Sequence, residues 1–345
     1  FTTADAGTSQ TSLTNPYAVT VDPTTGKVFV ADTNNHRVLR YASSTALRNG
    51  ASAEGVLGQP DFVSASANRG GAVAANTLNS PVGVFVDSAG RLWVADYGNH
   101  RVLWFDDAAS KANGAAADGV LGQADFAEGA PNRGGLSANT LYYPYSVGVD
   151  EAGNLWVVDA ANHRVLRWDD AAILTNGEAA DGVLGQVDFT SNAVNRGGST
   201  AANSLNIPTG LVVSADGTLF VSDQSNHRVL RFDNAAGKAN GAAADGVLGQ
   251  PDFTANAAAV TRSGMASPYG VALDPDGRLF VVDYHAHRVT IYENAAAKAD
   301  GADADGVLGQ PDFTTGTPNT GGRSARTLNY PVLAFYDPAL PALWV

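Results

Sequence analysis

One four-residue motif recurs along this chain at a step of 60 to 64 residues. Asn-His-Arg-Val occurs four times, and a fifth copy begins with alanine. The copies start at Asn35, Asn99, Asn162, Asn226 and Ala286. A second motif, Gly-Val-Leu-Gly-Gln-x-Asp-Phe, keeps the same step and ends at Phe62, Phe126, Phe189, Phe253 and Phe313. Two motifs in phase identify a tandem repeat, which restricts the fold to architectures built from one copied unit.

Each unit has the pattern of four short strands. In residues 81–126, three β-branched or alternating runs are separated by turn residues, and a fourth apolar run follows a longer connection. That connection, residues 106–112, predicts a short helix, since it has aspartate at its start and Asn-Gly at its end. The four predicted strands are Val82–Asp87, Arg91–Asp96, His100–Phe105 and Gly119–Gln123.

Four antiparallel strands per unit, repeated around a circle, predict an all-β β-propeller. We expect a single domain over residues 1–345 with about six blades. The first strands start near Pro16, Pro81, Pro144, Pro208, Pro268 and Pro331. Five units are complete, whereas the sixth stops inside its second strand, and Phe1 aligns with the phenylalanine that ends each unit. We therefore expect a truncated sixth blade, completed by a longer parent chain or by a neighbouring copy.

These motifs resemble the NHL-repeat β-propeller family. The pattern is Pro-x-Gly-Val-x-Val-Asp, then Gly-x-Leu-[Trp/Phe]-Val-x-Asp, then Asn-His-Arg-Val, and it covers nearly the whole chain. Ser214 and Ala286 depart from it, at the end of one first strand and at one repeat asparagine. The resemblance implies a propeller that is often a protein- or ligand-binding scaffold, with a minority of lyases and lactonase relatives. Fold alone does not choose among these activities.

Composition excludes several functional classes. The 34 acidic and 21 basic residues give a net charge of −13, which repels nucleic-acid phosphates and anionic lipid. No apolar run is long enough for membrane insertion. There is no cysteine, so disulfides and thiolate metal sites are excluded. A chain rich in Gly, Ala, Ser, Thr and Asn that begins with phenylalanine is expected to be part of a secreted protein, extracellular or at the cell surface.

Aspartate, histidine and arginine recur together in every complete unit. A metal or catalytic site needs one convergent cluster, whereas equivalent positions in different blades are spread around a ring. We therefore predict a structural network in which each imidazole bonds its aspartate across the turn and each arginine pairs with a carboxylate. We predict no catalytic residue, cofactor or metal ligand. The network is Asp32, His36, Arg37, Asp96, His100, Arg101, Asp159, His163, Arg164, Asp223, His227, Arg228, Asp283, His287 and Arg288.

Tyrosine follows the opening proline in alternate units, at Tyr17, Tyr145 and Tyr269. The other units have valine or threonine there, so no carboxylate or histidine occupies this position, which weighs against a metal-dependent lactonase or lyase. The tyrosines could form a three-spoke mouth for a sugar or peptide, although packing between blades is the favoured interpretation. His285 is the one unrepeated histidine and is expected to be solvated.

Our leading hypothesis is a non-enzymatic extracellular or cell-surface scaffold that binds protein or glycan. Two alternatives remain open: a structural subunit of a surface polymer or filament that self-associates, and a propeller lyase or hydrolase with its site on the channel axis. The Asp-rich connections, such as Asp106, Asp107 and Asp118, do not have the spacing of a calcium-binding loop, and calcium binding is left open.

Overall fold

The computed structural model describes residues 6–345, so Phe1 and the first residues of the predicted domain lie outside the described residues. It contains five four-stranded antiparallel sheets and one two-stranded sheet. The strands are, sheet by sheet, β1 Pro16–Val21, β2 Lys27–Asp32, β3 Arg37–Ser43 and β4 Gly55–Leu57; β5 Pro81–Val86, β6 Leu92–Asp96, β7 Arg101–Phe105 and β8 Gly119–Leu121; β9 Pro144–Val149, β10 Leu155–Asp159, β11 Arg164–Trp168 and β12 Gly182–Leu184; β13 Pro208–Val213, β14 Leu219–Asp223, β15 Arg228–Phe232 and β16 Gly246–Leu248; β17 Pro268–Leu273, β18 Leu279–Asp283, β19 Arg288–Tyr292 and β20 Gly306–Leu308; β21 Phe335–Asp337 and β22 Ala342–Trp344.

The sheets are arranged as a ring. The first strands of successive units contact one another, and β21 contacts both β17 and β1. The predicted all-β propeller with four-stranded blades is therefore confirmed, with five such blades in residues 6–345 rather than six. The helical segments described there are short 3-10 turns, and no helix is long and apolar enough to cross a membrane.

The hydrophobic core lies between neighbouring blades. Every residue of β6 is buried, because a blade packs on each of its two faces. This explains why second strands read as continuous apolar runs instead of alternating ones. Trp93, for example, packs at 5.5 Å from Trp104 and belongs to the same buried cluster as Val157 and Leu166 of the next unit.

The prediction of a helix over residues 106–112 is wrong. The segment forms one 3-10 turn, Ala108–Ser110, and the expected N-cap Asp107 has left-handed backbone with φ 48°. Both ends of this connection are held by hydrogen bonds: the Asp106 N–H donates to Asp118, the residue before β8, and Asn113 accepts from the N–H of Val56 in the preceding unit. Too few residues remain between these anchors to nucleate an α-helix.

The fourth strand is also shorter than predicted. It was expected to run to Gln123, but β8 ends at Leu121. Gly122 adopts φ 83°, which ends the extended conformation. A β-carbon there would lie 2.5 Å from the Leu141 side chain, so glycine is also required by packing.

Glycine at the third position of a first strand permits close approach of neighbouring blades, and this gives a testable prediction. A β-carbon on Gly83 would lie 2.5 Å from the carbonyl oxygen of Tyr145 and 3.1 Å from the Cα of Ser146, both in the next blade. We expect Gly83→Ala to lower the free energy of unfolding by about 1–3 kcal/mol, as overpacking does. Chemical denaturation is the measurement. Gly71→Ala, whose nearest neighbour would be 3.8 Å away, is the control; equal stability of the two variants would contradict the packing argument.

Candidate functional site

The starts of first strands and the ends of second strands meet at one face of the ring, because these strands are antiparallel: Pro81 lies opposite Asp96. The connections between units and the 3-10 turns that follow the second strands also lie there. We call this the inter-unit face. The turns between first and second strands lie at the opposite face.

The three tyrosines singled out by the sequence converge at the inter-unit face. The ring of Tyr145 lies 6.1 Å from that of Tyr17 and 6.0 Å from that of Tyr269, both in edge-on geometry. These residues belong to three alternate blades, so rings this close to one another occupy the propeller axis. The three rings therefore form one cluster, and its role as a mouth for a ligand stays a prediction.

Four further tyrosines extend this cluster to both sides. Tyr97 lies 6.0 Å from Tyr145 and stacks on Tyr143 at 4.3 Å. On the other side, Tyr284 lies 4.5 Å from Tyr269 and 4.9 Å from Tyr330. The result is a continuous line of rings across the face. We call it the tyrosine row; its members in order are Tyr143, Tyr97, Tyr145, Tyr269, Tyr284 and Tyr330, with Tyr17 beside Tyr145.

Sequence reasoning missed these four residues, although their positions carried a signal. Tyr97 and Tyr284 each follow the aspartate that ends a second strand, and Tyr143 and Tyr330 each precede an opening proline. Both positions lie at the inter-unit face, next to the position that was considered. A comparison of all three repeat positions would have found the row.

The row is uncharged. Burial raises the pKa of Tyr269 to about 12, and burial also raises the pKa of Tyr97, Tyr145 and Tyr284 above the usual value. These four phenols therefore stay protonated at physiological pH and act as hydrogen-bond donors. The three repeat positions that form the row contain no Asp, Glu, Lys or Arg in any unit.

His285 lies at the edge of the row. Its imidazole is 5.0 Å from the ring of Tyr284, and its Nδ1 is 2.9 Å from the hydroxyl of Ser267. His285 is exposed to solvent, whereas Ser267 is buried. The histidine thus adds a polar group to the surface of the row.

Beneath this face, each complete unit contains a buried Asp–Arg ion pair. In the second unit the Nε of Arg101 donates to Asp96 at 2.7 Å, and both side chains are fully buried. The carboxylate also accepts from the N–H of Asn79 and the amide of Asn99. The same pair is formed by Asp32 and Arg37, Asp159 and Arg164, Asp223 and Arg228, and Asp283 and Arg288.

The arginine joins the two sequence motifs. Arg101 donates to the carbonyl of Phe126, the last residue of the second motif, at 2.8 Å, and to the carbonyl of Thr77 in the preceding connection. Gln123 of the same motif donates to the carbonyl of His100 at 3.0 Å. The two motifs recur in phase because hydrogen bonds join them into one structure in each unit.

Each repeat histidine bonds the next unit, which corrects the expected bond to its own aspartate. In residues 6–345 the Nδ1 accepts a backbone N–H from the residue before the next opening proline. The pairs are His36 with Ser80 at 2.9 Å, His100 with Tyr143 at 3.2 Å, His163 with Ile207 at 3.0 Å, His227 with Ser267 at 3.1 Å and His287 with Tyr330 at 2.9 Å. Both partners have left-handed backbone, which turns the ring toward the neighbouring unit.

The pKa values of these groups follow from burial. Burial lowers the pKa of all five histidines and brings that of His100 to about 4. Because the neutral ring is the acceptor, the low pKa preserves the bond at neutral pH. Burial raises the pKa of Asp96, Asp159, Asp223 and Asp283, while their arginines and N–H donors act in the opposite direction.

No group of three His, Asp or Glu side chains in the described part of the chain could hold a metal ion. The repeat histidines stand in separate units. In the Asp-rich connections, Asp118 pairs with Lys111 at 2.7 Å and accepts from the N–H of Asp106. The prediction that the protein needs no cofactor stays a prediction.

A family model identifies four of the units. The model described as NHL repeat matches residues 13–41, 78–105, 205–232 and 265–292. Each match covers the first three strands of one unit, except that the first match ends at Tyr41, inside β3. The chain is a β-propeller that contains NHL repeats. The third unit of this NHL propeller lies outside the four matches but forms the same buried pair, Asp159 with Arg164.

Two curated relatives match the NHL propeller. NHL repeat-containing protein 2 of Homo sapiens is 24% identical over 333 residues, which are 89% of this chain and 43% of that protein. Peptidyl-alpha-hydroxyglycine alpha-amidating lyase 2 of Drosophila melanogaster is 30% identical over 110 residues, 31% of this chain and 23% of that protein. The chain therefore spans less than half the length of these relatives.

Solved structures share the fold of the NHL propeller. A streptogramin B lyase superposes with a TM-score of 0.52 at 13% identity, over 100% of this chain and 91% of the other. A chain of a nidogen/laminin complex superposes with a TM-score of 0.51 at 16% identity, over 87% and 82% of the two chains. At these identities the likeness shows the propeller architecture alone.

The buried ion pair gives a second prediction. Arg164→Ala removes the partner of the buried Asp159 and leaves the carbonyls of Phe189 and Thr140 without their donor. We expect the free energy of unfolding to fall by about 3–5 kcal/mol. The control is Arg133→Ala, which breaks an exposed pair with Glu128 and is expected to cost less than about 1 kcal/mol. Similar unfolding midpoints for both variants in a denaturant titration would contradict this role.

The histidine junction predicts a pH dependence. The folded-state pKa of His100, about 4, lies below its ordinary value of 6.5, so protonation favours the unfolded chain. The stabilisation from the neutral ring is present above pH 6.5 and is lost as the pH falls toward 4. We expect His100→Leu to cost about 1–3 kcal/mol at pH 7, because the N–H of Tyr143 loses its acceptor, and to reduce the fall in stability between pH 7 and 4.5.

Melting temperatures of wild type and variant over that range are the measurement. The buried aspartates titrate in both proteins, so the difference between the two curves isolates the histidine. Ile173→Ala, which changes an exposed residue with no titratable group, is the control and should keep the wild-type slope. Parallel curves for wild type and His100→Leu would show that the junction does not sense pH.

Proposed function

We propose that this NHL propeller is a non-enzymatic binding scaffold whose tyrosine row contacts a protein or glycan partner. The supporting observation is the row itself: six rings in unbroken succession on one face, with neighbouring centroids 4.3–6.0 Å apart. Tyrosine combines a large apolar ring with a hydroxyl donor, and the central parts of protein interfaces are rich in tyrosine and poor in charge. The row has this composition.

The shape of the row favours a broad contact over a deep pocket. Rings from three alternate blades fill the axis at this face, so a partner would meet ring edges and hydroxyl groups. Tyr330 is 49% exposed and Tyr284 is partly exposed, which leaves ring surface available at one end. An apolar or neutral polar surface fits such a site better than a charged one. Among protein and glycan partners we place protein first, because these features match protein interfaces.

The enzymatic alternative is a lyase or hydrolase with a site on the channel axis. Two of the comparison proteins are named as lyases, an amidating lyase and a streptogramin B lyase. Their names support retaining the enzymatic alternative. We place it second because Tyr17, Tyr145 and Tyr269 occupy the axis at the inter-unit face. The proposed extracellular or cell-surface location rests on composition, and fractionation of the native cells tests it.

We further infer that β21 and β22 form the inner half of a sixth blade. Three contacts support this. The Tyr330 N–H donates to His287, as at every other junction. Tyr336 stacks on Phe280 of β18 with centroids 6.3 Å apart, and Leu333 packs against the core between units one and two. The two strands pair with Phe335 opposite Trp344, as Phe85 lies opposite Trp93 in the second blade.

The row predicts which substitutions abolish binding. With biotinylated protein on arrays of neutral glycans and of purified extracellular proteins, we expect saturable binding to at least one probe. Tyr284→Ala should weaken it at least about 30-fold, the effect of losing a hot-spot aromatic side chain. Ile173→Ala removes an apolar side chain that is 73% exposed in a third-to-fourth-strand connection, and it should bind like wild type.

Equal binding by wild type, Tyr284→Ala and Tyr330→Ala would exclude the row as the contact surface. Catalytic turnover of a lactone or an α-hydroxyglycine peptide that survives the tyrosine substitutions would favour the enzymatic alternative. Circular dichroism of each variant shows whether a loss of binding reflects a loss of fold.

A further inference from the structure

The orientations of the rings divide the tyrosine row into two stacked pairs with one ring between them. Tyr97 stacks on Tyr143 with 17° between the ring planes, and Tyr269 stacks on Tyr284 with 28°. Tyr145 stands across both pairs, at 89° to Tyr97 and 71° to Tyr269. The surface of the row is therefore ridged and not one flat plane.

The row carries phenol hydroxyls that have no partner within the described protein. Among residues 6–345, the hydroxyls of Tyr97, Tyr269 and Tyr284 make no hydrogen bond, and none of them is an enclosed atom. Water therefore reaches them in the free protein. Because burial raises the pKa of these phenols, each is a protonated donor at neutral pH. The row thus offers donors, while its side chains include no carboxylate or amide acceptor.

These properties favour a partner that is rich in acceptors and poor in donors. A polyproline II helix has no internal hydrogen bonds, so its carbonyl oxygens remain free to accept. Proline has no backbone N–H, so a proline-rich segment brings few donors that would need an acceptor in the row. Its pyrrolidine rings are apolar and pack on aromatic side chains. Such a segment is also uncharged, as the row is.

The dimensions of the row match a short segment of this kind. The path along the ring centroids from Tyr143 to Tyr330 is at most about 26 Å, which about eight polyproline II residues span at ~3.1 Å each. With three residues per turn, every third residue faces the same side, so two or three prolines meet the row. Tyr330 is 49% exposed and leaves one end of this path open.

Other partners fit the row less well. A β-strand partner needs an open sheet edge, and at this face the axis-facing edges of the first strands lie where Tyr17, Tyr145 and Tyr269 converge. A helical partner needs a groove for its side chains, whereas rings fill the axis here. A neutral glycan presents hydroxyl donors as well as acceptors, and its donors would find no carboxylate in the row.

We propose that the tyrosine row binds a proline-rich segment of a partner protein in the polyproline II conformation. The proline rings pack on the row, and the carbonyl oxygens of the segment accept from the phenols of Tyr97, Tyr269 and Tyr284. Because a polyproline II segment is ordered before it binds, it loses little conformational entropy on a surface without a deep pocket. This proposal rests on the proposed binding function of the row and names the class of its partner.

The probe is a synthetic oligoproline of about ten residues, long enough to span the row. Calorimetric titration into the folded protein should show saturable one-to-one binding. The reference peptide is a Gly-Ser repeat of equal length, which has the same number of carbonyls but no proline rings and no preformed helix. It should show no saturable binding at the same concentrations.

Two substitutions at one ring separate the hydroxyl from the aromatic contact. Tyr284→Phe keeps the ring and removes the donor, and it should weaken oligoproline binding about 3- to 10-fold, the effect of one net hydrogen bond. Tyr284→Ala removes both and should weaken binding at least about 30-fold. The matched control is Tyr292→Phe, the same change at a buried tyrosine in β19 of the same unit, which should bind like wild type.

Absence of saturable oligoproline binding would overturn the proposal, and so would equal binding of the Gly-Ser peptide. Unchanged oligoproline affinity in Tyr284→Ala, with circular dichroism showing a folded protein, would do the same. Tyr97→Ala, on the other side of Tyr145, supplies this test where Tyr284→Ala does not fold.

A neutral malto-oligosaccharide separates the failure of this proposal from the failure of the proposed function. Saturable binding of the oligosaccharide that is lost in Tyr284→Ala, without oligoproline binding, would overturn the proline-rich partner and leave the row as a binding surface. Row variants that bind every protein and glycan probe as wild type does would refute the binding function as well.

Discussion

The buried aspartate–arginine pair is the interaction on which the rest of this propeller depends. Burying two charges away from water destabilises the folded state unless every donor and acceptor of the two groups is hydrogen-bonded. Here the aspartate closes the end of the second strand, and the arginine begins the third. The guanidinium also holds the carbonyl of Phe126 and that of Thr77. Long connections that lack strands of their own are thereby fixed against the blade in each unit.

The repeat histidine links each unit to the next one by a hydrogen bond. It follows the second-strand turn with left-handed backbone, and its ring accepts the N–H of the residue before the next proline. That N–H belongs to the residue immediately before the proline that begins the next first strand. Ion pair and imidazole together therefore define the positions at the inter-unit face. The junction bond uses the backbone N–H of the residue before each opening proline, and the side chains at these positions differ between units.

The tyrosine row arises because the network fixes the backbone at these positions while their side chains differ from unit to unit. The same backbone sites carry tyrosine in some units and valine, isoleucine, threonine, alanine, serine, asparagine or glutamine in others. Tyr143 shows the division within one residue, since its N–H belongs to the junction while its ring stacks on Tyr97. A rigid repeat network supports an uncharged aromatic surface, and the proposed binding function requires such a surface to be fixed in place.

Much of the fold was determined by the sequence alone. Strand-length apolar runs at a constant step leave few architectures, and the ring of four-stranded blades followed from that periodicity. The pairing of arginine with aspartate was also predictable, because a buried guanidinium requires a carboxylate. The histidine partner was not, since the backbone N–H that it binds lies some 40 residues further along the chain and belongs to no motif. The helix predicted after the third strand failed for a related reason, because contacts with the neighbouring unit outweighed its local propensity. Only the tertiary structure brought six tyrosines from three kinds of repeat position into one row, because their proximity depends on how the ring places the blades around its axis.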